Sequence, residues 1–321
     1  MLGIQLEGGG KIMEFLIYWL SSVPAFAAPF ALGVLGMIIC EKSGVLNLGT
    51  EGFLLVGAIT GAGFIIIFGE MAYVALFFSG IAGMVLGSVF ALLVAILRIN
   101  QVIAGLIMVF LGQGLTALIG KNLGLVNKSF VGLQALNVEN LKDLYFIGPI
   151  LFGQDAFVYF LILIFVACAY FLNKTKSGLK LRAVGENPEA ADAAGVDVTL
   201  VRCTAILAGG FLIGLAGGYL TVGVSKIWVD GISGGRGWII IALVIFSQWK
   251  LNRAILGAVL FGCIEALIPR LAASGVQLPQ YFLLMLPYAV TLGVMIWSSL
   301  SDQRDVSPKA LGTPYSREER T

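Results

Sequence analysis

The stretch that decides the fold is residues 72–97, AYVALFFSGIAGMVLGSVFALLVAIL, in which no side chain carries a formal charge. A helix needs about 20 consecutive apolar residues to cross the hydrocarbon core of a bilayer, and this run is longer than that. It contains Gly80, Gly83 and Gly87, and small residues let membrane helices approach one another closely. The stretch therefore predicts a membrane-spanning helix.

The same pattern recurs along the chain. Further apolar runs, bounded by charges or turn residues, lie at 13–40, 51–68, 101–119, 156–173, 201–224, 237–249, 254–272 and 281–300. The run at 237–249 is short for a full crossing, and the run at 13–40 is too long for one upright helix and too short for two. Together the runs predict an all-α polytopic membrane protein with about eight to ten spans over residues 1–300.

The composition supports this class and excludes others. Of 321 residues, 59% are hydrophobic and 12% are charged, whereas an ordinary soluble domain is about 25% charged. This composition excludes a soluble enzyme, a disordered chain and a disulfide scaffold. The apolar surface of the protein is expected to contact membrane lipid. With no histidine and with cysteines that lie singly in apolar stretches (Cys40, Cys168, Cys203 and Cys263), we expect no metal site, no cofactor and no catalytic residue.

The sequence also lacks the motifs of ATP-binding proteins and the basic blocks of nucleic acid-binding proteins. No G-x-x-x-x-G-K-[ST] loop occurs, so the chain is not expected to be an enzyme, and a separate subunit must bind ATP if transport uses it. The net charge is +2 and no basic block is present, so we expect no nucleic acid partner.

Basic residues set the predicted orientation. The densest basic stretch, with Lys174, Lys176, Lys180, Arg182 and Arg202, lies in or at the end of a loop at about 174–200. Cytoplasmic loops of membrane proteins carry an excess of Lys and Arg, so this loop is predicted to be cytoplasmic and residues 120–155 to lie outside. Counting spans puts the tail 301–321 in the cytoplasm, where balanced charges and two prolines predict a mobile end.

Two segments are punctuated by glycine and lie beside strongly apolar runs: residues 44–49 (GVLNLG) and 231–237 (GISGGRG). Glycine-interrupted segments in corresponding halves of a transporter indicate broken helices near the transport path. Such clusters also occur as ordinary turns between helices. Both interpretations stay open from the sequence.

A short helix in the cytoplasmic loop is defined at both ends. Asn187 is a favourable N-cap, Pro188 suits the first helical position, and Glu189 places a carboxylate at the positive end of the helix dipole. Alanines follow, and Gly195 is a natural stop. The pattern predicts a helix of about two turns outside the bilayer.

The alanines give this helix a smooth surface. Ala191 and Ala194 share a face by i, i+3 spacing, and Ala190 joins Ala194 at i, i+4. A helix this short is marginal in water and needs something to pack against. Either this face docks into a groove on a partner protein, or the helix is a capped connector packed on its own membrane domain.

Ionisable groups inside apolar runs are candidates for function, since charge in a bilayer is costly. Glu265 lies deepest, Glu51 opens the second run, and Arg236 precedes the short run. The alternative for Glu265 is a carboxylate satisfied by a neighbouring helix, by Arg270 or by solvent. The alternative for Glu51 is a helix cap.

Amide and aromatic side chains could hold a flat solute by hydrogen bonds and stacking. The candidates for the solute pathway are Asn47, Glu51, Gln113 and Trp238, with Gln101, Gln248 and Trp228 beside them. Anchoring at the membrane surface is expected of Trp19, Trp249 and Trp297, and it is also the favoured role of Trp228 and Trp238.

Three blocks in order resemble one known family. Residues 43–52 (SGVLNLGTEG) resemble the N-terminal signature of a family of bacterial ABC-importer permeases, residues 181–195 (LRAVGENPEAADAAG) its coupling loop, and residues 234–246 (GGRGWIIIALVIF) a third block. That superfamily includes ribose-type sugar and branched-chain amino acid permeases. The first and third blocks are most similar to the nucleoside-import branch, which works with a basic-membrane-protein-type lipoprotein.

The resemblance implies a complex in the bacterial inner membrane: a heterodimer of permease subunits, a cytoplasmic ABC ATPase and an extracytoplasmic substrate-binding lipoprotein. It implies that the short helix couples to the ATPase through Glu186, Asn187, Pro188, Glu189, Ala191, Ala194 and Gly195. The expected solute is a nucleoside, with a simple sugar as the alternative. An ion-coupled secondary transporter that uses Glu51 or Glu265 is the alternative from a different class.

Overall fold

The computed structural model describes residues 2–69, 71–136, 147–273 and 307–315, with scattered positions between 282 and 296. The helices are α1 (Leu2–Glu41), α2 (Thr50–Phe68), α3 (Ala72–Ala91), α4 (Gln101–Asn122), α5 (Ile147–Phe152), α6 (Ala156–Lys174), α7 (Lys176–Glu186), α8 (Pro188–Ala193), α9 (Val198–Tyr219), α10 (Arg236–Ser247) and α11 (Leu251–Ala273). Short π-helical segments continue α3 (Leu92–Ile96) and α9 (Leu220–Ser225). Within the described ranges, β structure is limited to two isolated bridges.

Seven of these helices are long and apolar enough to cross a membrane: α1 from Met13, α2, α3 with its π segment, α4, α6, α9 with its π segment, and α11. They coincide with seven predicted runs, which confirms the all-α polytopic fold. The run at 237–249 forms α10, whose 12 residues span about 18 Å, less than a hydrocarbon core of about 30 Å. The run at 281–300 lies mostly outside the described residues.

The first run belongs to one continuous helix. α1 has 40 residues and continues past Pro24 and Pro29. Membrane helices tolerate proline where neighbouring helices and local adjustments re-satisfy the backbone groups that it frees, and α1 packs against α9 and α11. At about 60 Å, α1 is longer than the bilayer is thick. The run is therefore part of one long helix, Leu2–Glu41.

Close approach of the central helices depends on glycine. α9 packs against α1, α2 and α3. A Cβ atom added at Gly57 of α2 or at Gly217 of α9 would collide with a carbonyl of the facing helix, and one at Gly83 of α3 would collide with the Gly210 carbonyl. Small residues let membrane helices gain packing through backbone contact. These contacts explain why glycine occurs at the crossing points of the central helices.

The two ends of the bundle are formed by different segments. At one end, α7 meets the turn after α1, where a Cβ atom at Gly185 would collide with the Lys42 carbonyl. At the other end, Asn127 donates its backbone N–H to the Trp228 carbonyl at 2.8 Å. The basic loop therefore lies at the end opposite the loop after α4, in agreement with the predicted orientation.

Part of the C-terminal tail is docked on the end that carries α7. Ala310 donates its backbone N–H to the Gly185 carbonyl at 2.9 Å. The guanidinium of Arg202, which is 2% exposed, donates to the Thr313 carbonyl at 3.1 Å. Residues 307–315 thus contact the bundle through backbone hydrogen bonds, and the mobility of the tail as a whole stays a prediction. The rest of the tail lies outside the described residues.

Candidate functional site

A broken helix forms the centre of the candidate site. After α9 and its π segment, the chain passes through residues 226–235 before α10 begins. Positive φ angles occur here at Lys226, Gly231, Gly234 and Gly235, a conformation that glycine adopts without steric cost. The first residue of α10 is paired with Glu265, which lies about 21 Å along α11. α10 therefore begins within the bundle, as expected of a helix interrupted by glycine.

Glu51 joins the two glycine-punctuated segments. Its Oε1 accepts hydrogen bonds from the Ser233 hydroxyl at 2.6 Å and from the Gly235 N–H at 2.9 Å, and its Oε2 accepts from the Gly237 N–H at 2.6 Å. The side chain is 5% exposed. A carboxylate is stabilising at a helix N-terminus, where backbone N–H groups lack partners. Glu51 therefore caps α10 from α2, the role that the sequence left as an alternative.

Gly237 makes this cap possible. A Cβ atom there would lie 2.5 Å from the backbone nitrogen and Cα of Glu51. The start of α10 thus packs directly on the first turn of α2. The interpretation as a broken helix holds for residues 231–237, whereas residues 44–49 form a buried turn between α1 and α2.

Arg236 and Glu265 form an ion pair between α10 and α11. The Nη2 and Oε2 atoms are 2.5 Å apart. Nη1 of Arg236 also donates to the carbonyls of Ile232 at 3.2 Å and Ser233 at 3.1 Å. A neighbouring helix therefore satisfies Glu265, one of the alternatives the sequence offered. Arg270, another of them, lies instead over the Tyr18 ring.

A cavity of about 360 Å³ opens beside this pair. Its polar lining consists of Ser225, Gly234, Arg236, Glu265 and Tyr288, and the remaining walls are apolar and include Phe26. The Tyr288 hydroxyl donates to the Gly234 carbonyl at 3.0 Å. The broken helix thus borders a partly polar cavity inside a membrane bundle, where solute sites of transporters form.

The other predicted pathway residues lie elsewhere. Asn47 is 1% exposed, and its Oδ1 accepts the Gly49 N–H at 2.9 Å, so it stabilises its own turn. Gln113 is exposed on α4, and Trp238 is 41% exposed on α10. None of them lines the cavity, and Glu51 is enclosed behind it.

The tryptophans are more deeply placed than their sequence positions suggested. Trp228 is fully buried and packs with Leu55, Ala58 and other α2 residues. Trp249 is 9% exposed and donates its indole N–H to Glu41 at 2.6 Å. The prediction of anchors at the membrane surface is wrong for these two, because tertiary contacts enclose both rings. Trp297 lies outside the described residues.

The loop that is predicted to be cytoplasmic forms two helices. α7, which the sequence analysis missed, begins after Thr175, whose Oγ1 accepts the Gly178 N–H at 3.0 Å. α8 has the predicted caps: Asn187 Oδ1 accepts the Ala190 N–H at 2.9 Å, and Gly195 has a φ of +82°. α8 is shorter than predicted, with six residues.

The predicted docking face of α8 is split. Ala191 is 4% exposed and packs with Val184 of α7 and Val198 of α9, whereas Ala190 and Ala194 are exposed. Placing Ala191 on the free surface was therefore wrong, because α7 and α9 cover that side of α8. Of the other predicted coupling residues, the exposed ones are Glu186, Asn187, Glu189 and Gly195, and Pro188 is half-buried.

α7 is packed on the turn between α1 and α2, which leads to Glu51. Burial lowers the pKa of Lys42 in this turn, and the nearby Arg182 lowers it further, while Glu186 opposes the shift. The segments around α7 and before α2 are thus one packed unit.

Comparison with known proteins identifies the class. Residues 20–296 match the family described as branched-chain amino acid transport system, permease component. The chain belongs to this permease family.

Relatives of the permease match almost end to end. A Haloferax volcanii protein provisionally named a glucose ABC transporter permease is 36% identical over 95% of this chain and 99% of its own length. The guanosine ABC transporter permease of Bacillus subtilis is 30% identical over 96% of this chain and 99% of its own length. The nucleoside ABC transporter permease of Lactococcus lactis is 30% identical over 90% of this chain and 94% of its own length. The chain is thus an ABC permease subunit and a multi-pass protein of the inner membrane.

Sequence reasoning missed two parts of the permease site. Ser233 and Glu51 are 182 positions apart, and no local pattern links residues at that separation. Tyr288 lies in the run 281–300, which has no charged residue that would have drawn attention to it. The signal for α7 was present, since Thr175 is a favourable N-cap residue.

Proposed function

We propose that the permease imports nucleosides that an extracytoplasmic binding lipoprotein delivers. The observation that carries the proposal is the match over at least 90% of each chain to permeases named for guanosine and for nucleosides. The cavity supports it, because about 360 Å³ bounded by aromatic and polar groups falls in the usual size range of small-molecule sites.

A simple sugar is the second candidate, favoured by the relative named for glucose. Nucleosides and sugars share neutral hydroxylated rings. The permease would need only a passage suited to that chemistry, with selection made by the binding protein.

A separate cytoplasmic ATPase would supply the energy. We infer that its groove receives the exposed side of α8, which carries Glu189, Ala190 and Ala194. α8 would transmit the movement of the ATPase through α7 to the turn at Lys42, and from there through Glu51 to the start of α10. Alternating access would follow from shifts of this packed unit.

A second permease subunit would cover the exposed side of α4. Gln113 lies about 18 Å along this helix, in the middle of a span, and its side chain is exposed. Polar groups exposed to lipid are costly. A partner subunit or a water-filled path between the two subunits would remove that cost, which supports a heterodimer.

The contacts of the carboxylates disfavour an ion-coupled transporter. Both oxygens of Glu51 accept hydrogen bonds, and Glu265 is paired with Arg236. Glu51 therefore cannot take up a proton or sodium ion without breaking the start of α10, and the charge of Glu265 is already balanced by Arg236.

Uptake by cells tests the proposal. Labelled guanosine, uridine, ribose and glucose would be offered to cells with and without this chain, each treated either with an inhibitor of ATP synthesis or with an ionophore that collapses ion gradients while ATP is maintained. We expect nucleoside uptake that needs the chain and ATP. Loss of sugar uptake alone on deletion would favour the second candidate, and dependence on an ion gradient alone would refute both.

A further inference from the structure

The cavity beside α10 has the composition of a ligand site. Most of its wall is apolar, and its few polar groups converge from three elements: Ser225 after α9, Arg236 at the start of α10 and Glu265 of α11. Small-molecule sites combine an apolar lining with a few placed polar groups in this way.

The ion pair is held in one geometry and faces the cavity. Arg236 is fixed by two backbone carbonyls as well as by Glu265. The side chains remain 23% and 11% exposed. Among the described residues, Oε1 of Glu265 has no hydrogen-bond partner, so it is available to a ligand.

The pair is neutral overall and therefore favours a neutral solute. An anion or a cation would be attracted by one member and repelled by the other, and would lose its hydration in a poorly solvated place without a net countercharge. A hydroxyl can donate to Glu265 and accept from Arg236. Of two neighbouring hydroxyls on a solute, one can therefore donate to Glu265 while the other accepts from Arg236, and both hydrogen bonds are charge-assisted.

We propose that the Arg236–Glu265 pair binds adjacent hydroxyls of a neutral sugar ring, with Phe26 and Tyr288 beside the less polar part of the solute. This rests on the proposed function and adds the site within the permease where the solute is held. The hydroxyls belong either to the ribose of a nucleoside or to a free sugar.

Direct binding tests the proposal. The complete transporter, assembled with this chain and placed in lipid nanodiscs without its binding protein, would be titrated with labelled guanosine and, separately, with labelled glucose. Guanosine, 2′,3′-dideoxyguanosine and guanine would compete. We expect the dideoxy compound and guanine to compete at least about tenfold more weakly than guanosine, since the polar groups of the site lose their partners.

The variant Arg236→Gln/Glu265→Gln removes both charges together, so that no unpaired charge is left in the bundle. This variant should bind guanosine at least about tenfold more weakly than the wild type and should no longer prefer guanosine over its dideoxy analogue. Arg270→Gln is the control, because Arg270 lies over Tyr18 and does not line the cavity. Glu265→Gln alone, which keeps the shape of the side chain, serves if the double variant fails to assemble.

The outcomes separate the site from the function. Equal competition by guanosine and its dideoxy analogue, no saturable binding of either label, or an unchanged preference in the variants would overturn the site. Binding of glucose alone with loss in the variants would keep the site and assign it to sugar. Uptake by the wild-type transporter, measured in parallel, decides the proposed function independently of these binding results.

Discussion

Replacing Glu51 by Gln tests the cap that holds the start of α10. The carboxylate accepts from Ser233 and Gly235 at one oxygen and from Gly237 at the other. The amide of Gln has one accepting oxygen and an NH₂ group that can only donate. In either orientation, at least one backbone N–H of Gly235 or Gly237 faces an N–H group.

The expected cost follows from these contacts. A hydrogen bond to a charged acceptor contributes about 1.5–3 kcal/mol, and a buried N–H without a partner costs about 1–3 kcal/mol. Because the two overlap, we expect Glu51→Gln to lower the free energy of unfolding by about 2–4 kcal/mol. Ser233→Ala removes one hydrogen bond to the carboxylate, leaves no buried N–H without a partner, and should cost about 1.5–2 kcal/mol, at the lower end of this range.

Unfolding by dodecyl sulfate in mixed micelles measures these differences. Glu14→Gln is the matched control, since Glu14 is exposed near the start of the membrane-spanning part of α1 and its substitution should change stability by less than about 0.5 kcal/mol. If Glu51→Gln unfolds within about 0.5 kcal/mol of that control, the cap does not stabilise α10 and the reasoning fails.

Three further expectations concern the cytoplasmic end. Ala191→Trp should destabilise the permease by about 1–3 kcal/mol or more because the site is enclosed. Ala194→Trp should leave the stability unchanged and abolish transport-stimulated ATP hydrolysis. Equal unfolding midpoints of the two variants would contradict this packing. Trp249→Phe removes the donor to buried Glu41 and should cost about 1–3 kcal/mol, and an unchanged unfolding curve would show that this bond is dispensable. Deleting residues 307–321 should lower the unfolding midpoint more than deleting 316–321, and identical midpoints would show that docking of the tail contributes no stability.

The candidate site was only partly predictable. Glu51, Arg236 and Glu265 were singled out because ionisable residues inside apolar runs need partners. Which partner each takes depends on how helices far apart in sequence meet, as with Arg236 and Glu265, and local pattern carries no such information. Ala191 shows the same limit, since helical spacing relates it to Ala194 but does not say which side of α8 the neighbouring helices cover.

The properties that arise within one segment were predictable: seven of the nine apolar runs as membrane spans, the caps of α8, the glycine interruption before α10 and the basic charge of the loop. These depend on local hydrophobicity, backbone freedom and charge near the bilayer. Helix packing was needed to show that α1 is one helix, that Glu51 caps α10, that Trp228 and Trp249 are enclosed and that residues 307–315 are docked. Each of these depends on pairing between distant segments, because in a bundle the exposure of a side chain is set by the helices packed around it.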